Sequence, residues 1–238
     1  MPDQRAHRGP APGDRELFDG EAQPRLAAAV GDLSWLLARG YPLDAALALV
    51  GDRFQLRARQ RVAVRRCAAA EAALAARRAR EVGPEAVRGA ILWLDGFNVL
   101  TTVEVALSGG LVLRGRDGCL RDLASLSGTW RRVTETLPAI GHVGATLSAL
   151  APARSVWLLD RPVSNSGRLR ALLEAAAAES GWPWEAKLAA SPDRELAATD
   201  GIVATADHVV LDRCGRWFNL AGAVVQGAAP DAWVVDLG

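Results

Sequence analysis

The 238-residue sequence predicts an α/β protein: a mainly parallel sheet with helices on both faces, preceded by a small all-helical basic module. Three observations predict it. From residue 90 on, short apolar runs alternate with helical stretches, the signature of strand–helix–strand units. From Leu26 to Gly83 the pattern is helical throughout. The charge divides at the same place. Residues 53–80 hold nine Arg against one Glu, whereas residues 91–238 hold 13 basic and 16 acidic residues.

The polar, Pro- and Gly-rich residues 1–24 are expected to be a mostly disordered tail. The helical module is assigned to 25–84 and the α/β domain to 88–238. In the module, "LAAAVGDLSWLLARG" is expected to put Leu26, Val30, Leu33, Trp35, Leu36 and Leu37 on a broad face and to stop at Gly40. "YPLDAALALVGDRF" is a second helix with Pro42 near its start. The Ala/Arg-rich segment 56–83 is expected to be one long helix, ended by Gly83 and Pro84. In the second part, strands are expected at 90–95, 110–115, 155–160 and 184–189. Helices are expected near 101–108, 130–149 and 166–181, the last with Ser166 as its cap. "IVATADHVVLD" is read as a strand, a turn and a second short strand. "WFNL" and "AWVVDL" close the chain.

Composition excludes several chemistries. Lys187 is the only lysine, and it lies in no glycine-rich phosphate loop. Cys67, Cys119 and Cys214 are far apart, so neither a zinc ribbon nor a redox pair is signalled, and a reducing cytoplasmic setting is expected. No uncharged apolar stretch reaches 18 residues, so no membrane span is expected.

The chemistry is concentrated in acids at strand ends. "ILWLD" ends on Asp95, "VWLLD" on Asp160, and "IVATAD" on Asp207. In a parallel sheet, ligands bind at the carboxyl ends of strands. Three carboxylates at one edge repel one another unless a cation lies between them. Oxygen ligands without His or Cys suit Mg²⁺ or Mn²⁺. Such an ion activates water and neutralises charge on a phosphate. The plain alternative for each Asp is a turn or cap residue. Glu104, one or two helical turns past Asp95, and Asp122, near "RGRDG", are candidates for a further acid at the site.

Two further features suit an anionic polymer. In "DRPVSNSGR", Arg161, Ser164, Asn165, Ser166 and Arg168 surround a helix start whose free amides favour phosphate. Arg57, Arg61 and Arg65, four residues apart, form a stripe able to hold nucleic-acid backbone. Aromatic residues for base stacking are not interleaved with them.

"DGFN" after a hydrophobic strand resembles the opening of PIN-like and NYN-like nuclease domains. "ATAD" resembles their later Ser/Thr-x-Asp element, matched by Thr205 and Asp207. The resemblance implies a Rossmann-like sheet. It also implies that Asp95 and Asp207, with Asp160, help hold a divalent metal, while Asn98 and Thr205 orient the site. The chain as a whole resembles an uncharacterised prokaryotic family. The resemblance is carried by "ARGYPLDAALALVGDRFQLRARQR", "DGFNVL", "LSGG", "RDG", "DRPVSNSGR" and "DRCGRWFNL", and it implies no activity. The expected function is a Mg²⁺- or Mn²⁺-dependent nuclease acting on RNA. The alternatives are a non-catalytic nucleic-acid-binding protein on the same fold and a small phosphoester hydrolase. A homo-oligomer is compatible with the sequence.

Overall fold

The computed structural model describes residues 7–124 and 128–238. Its first part is helical: α1 (Asp14–Leu17), α2 (Ala22–Ala38), α3 (Leu43–Arg53), α4 (Ala58–Cys67), α5 (Glu71–Arg78) and α6 (Pro84–Val87). The segment expected to be one helix over 56–83 is two. Ala68 and Ala70 are extended, with ψ of 141° and 147°. The carbonyls of Cys67 and Ala69 accept from the backbone and side chain of Arg116 (3.1 and 3.2 Å). These two carbonyls therefore find a partner outside the helix.

The expected disordered tail is corrected from residue 7 onward. Asp14 and Phe18 are fully buried, and Arg59 forms an ion pair with Asp14. Arg8 reaches the buried Glu104. Phe18→Ala is therefore expected to cost about 3–5 kcal/mol, the usual range for truncating a buried aromatic. Urea denaturation of the full chain measures this, and a midpoint like that of the wild type would return the segment to a tail.

The second part follows as β1 (Ile91–Asp95), α7 (Gly96–Leu107), β2 (Val112–Arg114), β3 (Leu120–Asp122), α8 (Thr136–Leu150), β4 (Arg154–Asp160), α9 (Ser166–Ser180) and β5 (Trp184–Ala189). It continues as α10 (Pro192–Ala198), β6 (Ile202–Ala204), α11 (His208–Leu211), β7 (Arg216–Trp217), α12 (Leu220–Ala228) and β8 (Val234–Asp236). Five strands form a parallel sheet in the order β5-β4-β1-β6-β7. This is the α/β class the alternation predicts, with a helical region before it. Leu92, Leu94, Trp157 and Leu159 pack on one face beneath α7, α8 and α12, and Val156, Leu158 and Val203 on the other. Among the described residues, no helix is long and apolar enough to cross a membrane.

Two expectations of element type change. The segment after Asp207 is α11, not a strand, because the Asp207 carboxylate accepts from the amides of Val209 and Val210 (2.8 and 3.1 Å) and so starts a turn. "WFNL" is split: Trp217 ends β7, and the Asn219 side chain caps α12.

The runs "LVLR" and "WVVD" do not join the main sheet. β2 and β8 pair in parallel, with β3 antiparallel on the other side of β2. This small sheet shares a core with the N-terminal helices: Leu113, Leu123, Val235 and Leu237 pack with Leu26, Leu33, Val50 and Val64. The helical region therefore buries its apolar face against strands drawn from the second part.

Candidate functional site

The strand order reverses direction around β1: β4, later in sequence, lies on one side of it and β6 on the other. In an open parallel sheet the crevice for a ligand lies outside the strand ends at this switch point. Asp95 ends β1 there, and the chain turns at once into α7 rather than five residues later as expected. Gly96 permits the turn, since a Cβ on it would stand 2.9 Å from the Leu158 carbonyl oxygen of β4.

The surroundings of Asp95 are specific. Its Oδ2 accepts from the Thr205 hydroxyl (2.8 Å), and its Oδ1 accepts weakly from the Asn98 amide (3.4 Å). Asn98 Oδ1 in turn accepts from the Ala206 amide (2.9 Å), and Thr205 Oγ1 accepts from the Asp207 amide (3.0 Å). The "DGFN" and "ATAD" segments are thus one hydrogen-bonded unit across β1 and β6. Asp95 is only 8% exposed. Desolvation pushes its carboxyl up to about 7. The Thr205 and Asn98 hydrogen bonds oppose the rise, and the charges of Asp207 and Asp193 add to it.

Asp193, at the second position of α10, is the residue that sequence reading missed. Its carboxyl is raised by desolvation and then by Asp207 and Asp160. It therefore connects electrostatically the three strand-end acids that do not all act on one another directly. Asp160 lies farther out, because Asp95 pairs with Leu158 rather than with Asp160. The "SPDRE" stretch reads as a capped helix start, which is why the sequence did not single it out.

The acids are gathered but not closed. Among the described residues, no three His, Cys, Asp or Glu side chains come together as a metal-binding group. The all-oxygen donor set nonetheless fits one kind of ion. Mg²⁺ keeps several of its waters and commonly takes only one or two carboxylates plus substrate phosphate. Of the three strand-end acids, Asp95 and Asp207 line the cleft.

The candidates for a further acid divide. Glu104 is fully buried away from this edge, bound by Arg8 and by the Thr136 hydroxyl (2.6 Å). Asp122 lines the cleft, but Thr102 (3.2 Å), the Ala124 amide (2.7 Å) and Arg66 occupy its carboxylate.

Above Asp95 opens a cleft of about 670 Å³. Asp95, Asn98 and Asp207 line one side, and Arg65 and Arg66 of α4 line another. Of the expected arginine stripe, only Arg65 reaches it. Arg61 turns back to Asp52 (2.6 Å) and to the carbonyls of Leu56 and Ala48, and Arg57 is exposed at the start of α4. Arg65 is paired with Asp44 (2.8 Å), a partner 85% exposed.

The "DRPVSNSGR" loop follows Asp160 but does not line this cleft. Ser164 exchanges backbone hydrogen bonds with Gly128 and Trp130, both 2.9 Å. Asn165 Nδ2 donates to the Trp130 carbonyl (3.1 Å), and Arg161 donates to that of Leu188 (3.2 Å). Asn165, at φ 68°, holds the position before α9, so the cap lies one residue before Ser166. Ser166 is buried and Arg168 exposed.

Behind the acids lies a buried charge triad. Asp117 pairs with Arg77 (2.6 Å) and bidentately with Arg121 (2.8 and 2.6 Å). Arg121 Nε also donates to the Ala206 carbonyl (2.8 Å), which fixes the loop that carries Thr205 and Asp207. His208 Nε2 lies 3.0 Å from the Arg66 carbonyl oxygen. Desolvation, Arg121 and Arg77 together push its imidazole down to about 3, so it is neutral.

Two family models match the chain: "Protein of unknown function (DUF434)" over residues 25–80, and "Domain of unknown function (DUF5616)" over residues 84–223. The chain is 26% identical over 184 residues to an uncharacterized protein, MJ0935, of Methanocaldococcus jannaschii, covering 76% of this chain and 86% of that one. No solved structure matches it.

Proposed function

The chain belongs to the family described as "Domain of unknown function (DUF5616)", and from that premise we propose that it is a divalent-metal-assisted phosphodiester hydrolase, a nuclease acting on RNA. The observation that carries this is Asp95: a buried carboxyl at the sheet's switch point, raised to about 7 and bordered by Asp207 and Asp193. A group titrating near neutrality in a cleft is what proton transfer at physiological pH needs. The resemblance of "DGFN" and "ATAD" to PIN-like and NYN-like nucleases supports the same reading.

Asp95 and Asp207 would hold Mg²⁺ or Mn²⁺, which when bound would neutralise phosphate charge and lower the pKa of an attacking water. Thr205 and Asn98 orient Asp95 by donating to its two oxygens. Arg121, through the Ala206 carbonyl, keeps Asp207 in place. Arg65 and Arg66 would draw the polyanion into the cleft. Cleavage needs the cation, and a cation beside Asp95 favours its ionised form, so the rate should rise with pH to a midpoint below about 7 and level off above it. A rate that falls across this range would oppose the assignment.

The direct test is cleavage of an RNA oligonucleotide with Mn²⁺ by the wild type, Asp95→Asn and Asp207→Asn. A loss of about 10²-fold or more in both variants is expected. Undiminished cleavage in both would exclude the mechanism. Salt-sensitive RNA binding without turnover would favour a second reading, a non-catalytic binding protein, which the open spacing of the acids also suits.

A further inference from the structure

The parallel sheet ends differently on its two sides. At one edge β7 is two residues long, and its Trp217 pairs with Glu81, so that edge is covered. At the other lies β5, six residues long, of which only Ala189 is buried. The carbonyls of Pro183 and Ala189 accept from the amides of Ser155 and Arg161 on the β4 side (3.0 and 2.8 Å). Backbone groups alternate in direction along a strand. Those of Trp184, Ala186 and Leu188 therefore point away from the sheet, where an open edge is a template for another strand.

Two of these outward groups are satisfied within the chain. The Trp184 amide donates to the Trp182 carbonyl (2.8 Å), and the Leu188 carbonyl accepts from the Arg161 guanidinium (3.2 Å). Among the described residues, the amide and carbonyl of Ala186, the Trp184 carbonyl and the Leu188 amide have no such partner. This remainder matches itself. In an antiparallel pairing with Ala186 opposite Ala186 of a second copy, the two alanines exchange both their hydrogen bonds. Each Leu188 amide then donates to the Trp184 carbonyl across the axis. The two groups already satisfied are the ones this pairing would otherwise have joined to each other.

The side chains agree with that register. On both sides of the axis, Glu185 stands opposite Lys187 and Trp184 opposite Leu188, as a two-fold interface requires. Glu185 and Lys187 then form a non-hydrogen-bonded pair, the kind whose side chains stand closest. Moving the axis to Trp184 or Leu188 loses both charge pairs. Within one copy, Lys187 holds Glu185 (2.9 Å) and lies 5.6 Å from the Trp93 ring, and Arg154 is 3.5 Å from Glu185. The three charged side chains are 38–50% exposed, and ion pairs of this kind contribute little and exchange partners readily.

We propose that the chain self-associates through β5 into a two-fold dimer, its two parallel sheets joined into one across Ala186. The strands run parallel within each copy and antiparallel across the axis. The two clefts therefore open at opposite edges of the joined sheet.

The test is sedimentation equilibrium of the full chain from about 5 to 200 µM, a range suited to a small, reversible interface. The wild type should approach twice the chain mass. Glu185→Lys and Lys187→Glu each set like charges face to face and should weaken association about tenfold or more. The double variant carrying both substitutions restores opposite charges and should associate within about threefold of the wild type. An equimolar mixture of the two single variants should form the heterodimer, since one edge is then basic and the other acidic. A wild type that stays monomeric, single variants that associate as the wild type does, or a double variant and a mixture that both fail to recover would each overturn the β5 dimer. RNA cleavage does not enter this readout, so the dimer and the hydrolase stand or fall separately.

Discussion

Asp95→Asn is expected to give a protein that no longer turns over substrate and is more stable than the wild type at pH 8. The reason is the cost of ionising a buried carboxyl near other acids. The group's folded pKa, about 7, lies above its ordinary value of 3.8. Between those values the unfolded chain has released the proton while the folded chain still holds it, so stability falls as pH rises. The contribution is fully present below about pH 3.8 and is lost as pH passes 7. Asparagine carries no charge and keeps an oxygen to accept from Thr205. A gain of about 1–3 kcal/mol at pH 8, narrowing at pH 5, is the expected size. Urea denaturation of both proteins at the two pH values measures it. An Asn variant less stable than wild type at pH 8 would mean that the carboxylate is satisfied where it stands.

Asp117→Ala should have the opposite effect on stability and an equal one on the site. Arg77 is 2% exposed and Arg121 5%, and Asp117 is the carboxylate they share. Desolvation pushes the Asp117 carboxyl upward, but the hydrogen bonds and charge of Arg121, with the charge of Arg77, hold it well below the usual carboxylate range. Removing it leaves two buried guanidinium groups short of a counter-charge, a change that costs about 3–5 kcal/mol. Asp212, at 2.7 Å, still serves Arg77, so Arg121 bears most of the loss. Arg121 also holds the Ala206 carbonyl, so the spacing of Thr205 and Asp207 from Asp95 should loosen as well. The denaturation midpoint and Mn²⁺ affinity should both drop. Unchanged stability would show that the triad is dispensable.

The part of this site that could be read from the sequence is the part written locally. A strand ending in Asp, followed by Gly and an amide, predicts an acid at the sheet edge, and alternation predicts that the strands run parallel. Asp193 escaped because its neighbourhood exists only after α10 folds beside α11. The same limit explains the helix break at Ala68–Ala70. Ala and Arg favour helix at every position there, and the competing partner, Arg116, is over 40 residues away. The phosphate-gripping role read into "DRPVSNSGR" rested on residue types that cap helices and bind anions equally well. In the fold, its backbone and amide groups are spent on residues 128–130.

The small sheet has a consequence for how the chain comes to fold. Its β8 lies near residue 235, yet it packs on helices that begin near residue 22, and the Gln23 side chain donates to the Asp236 carbonyl (2.9 Å). During synthesis the helices emerge first and must wait for the last strand before their apolar face is covered. Such long-range closure slows folding and leaves exposed surface in the interim. The boundary between the two family matches, near residue 84, is therefore a seam in sequence and not a place to cut. A fragment spanning 25–84 should expose Leu26, Leu33 and Val64 and aggregate, whereas co-expression with the remainder of the chain should return it to solution.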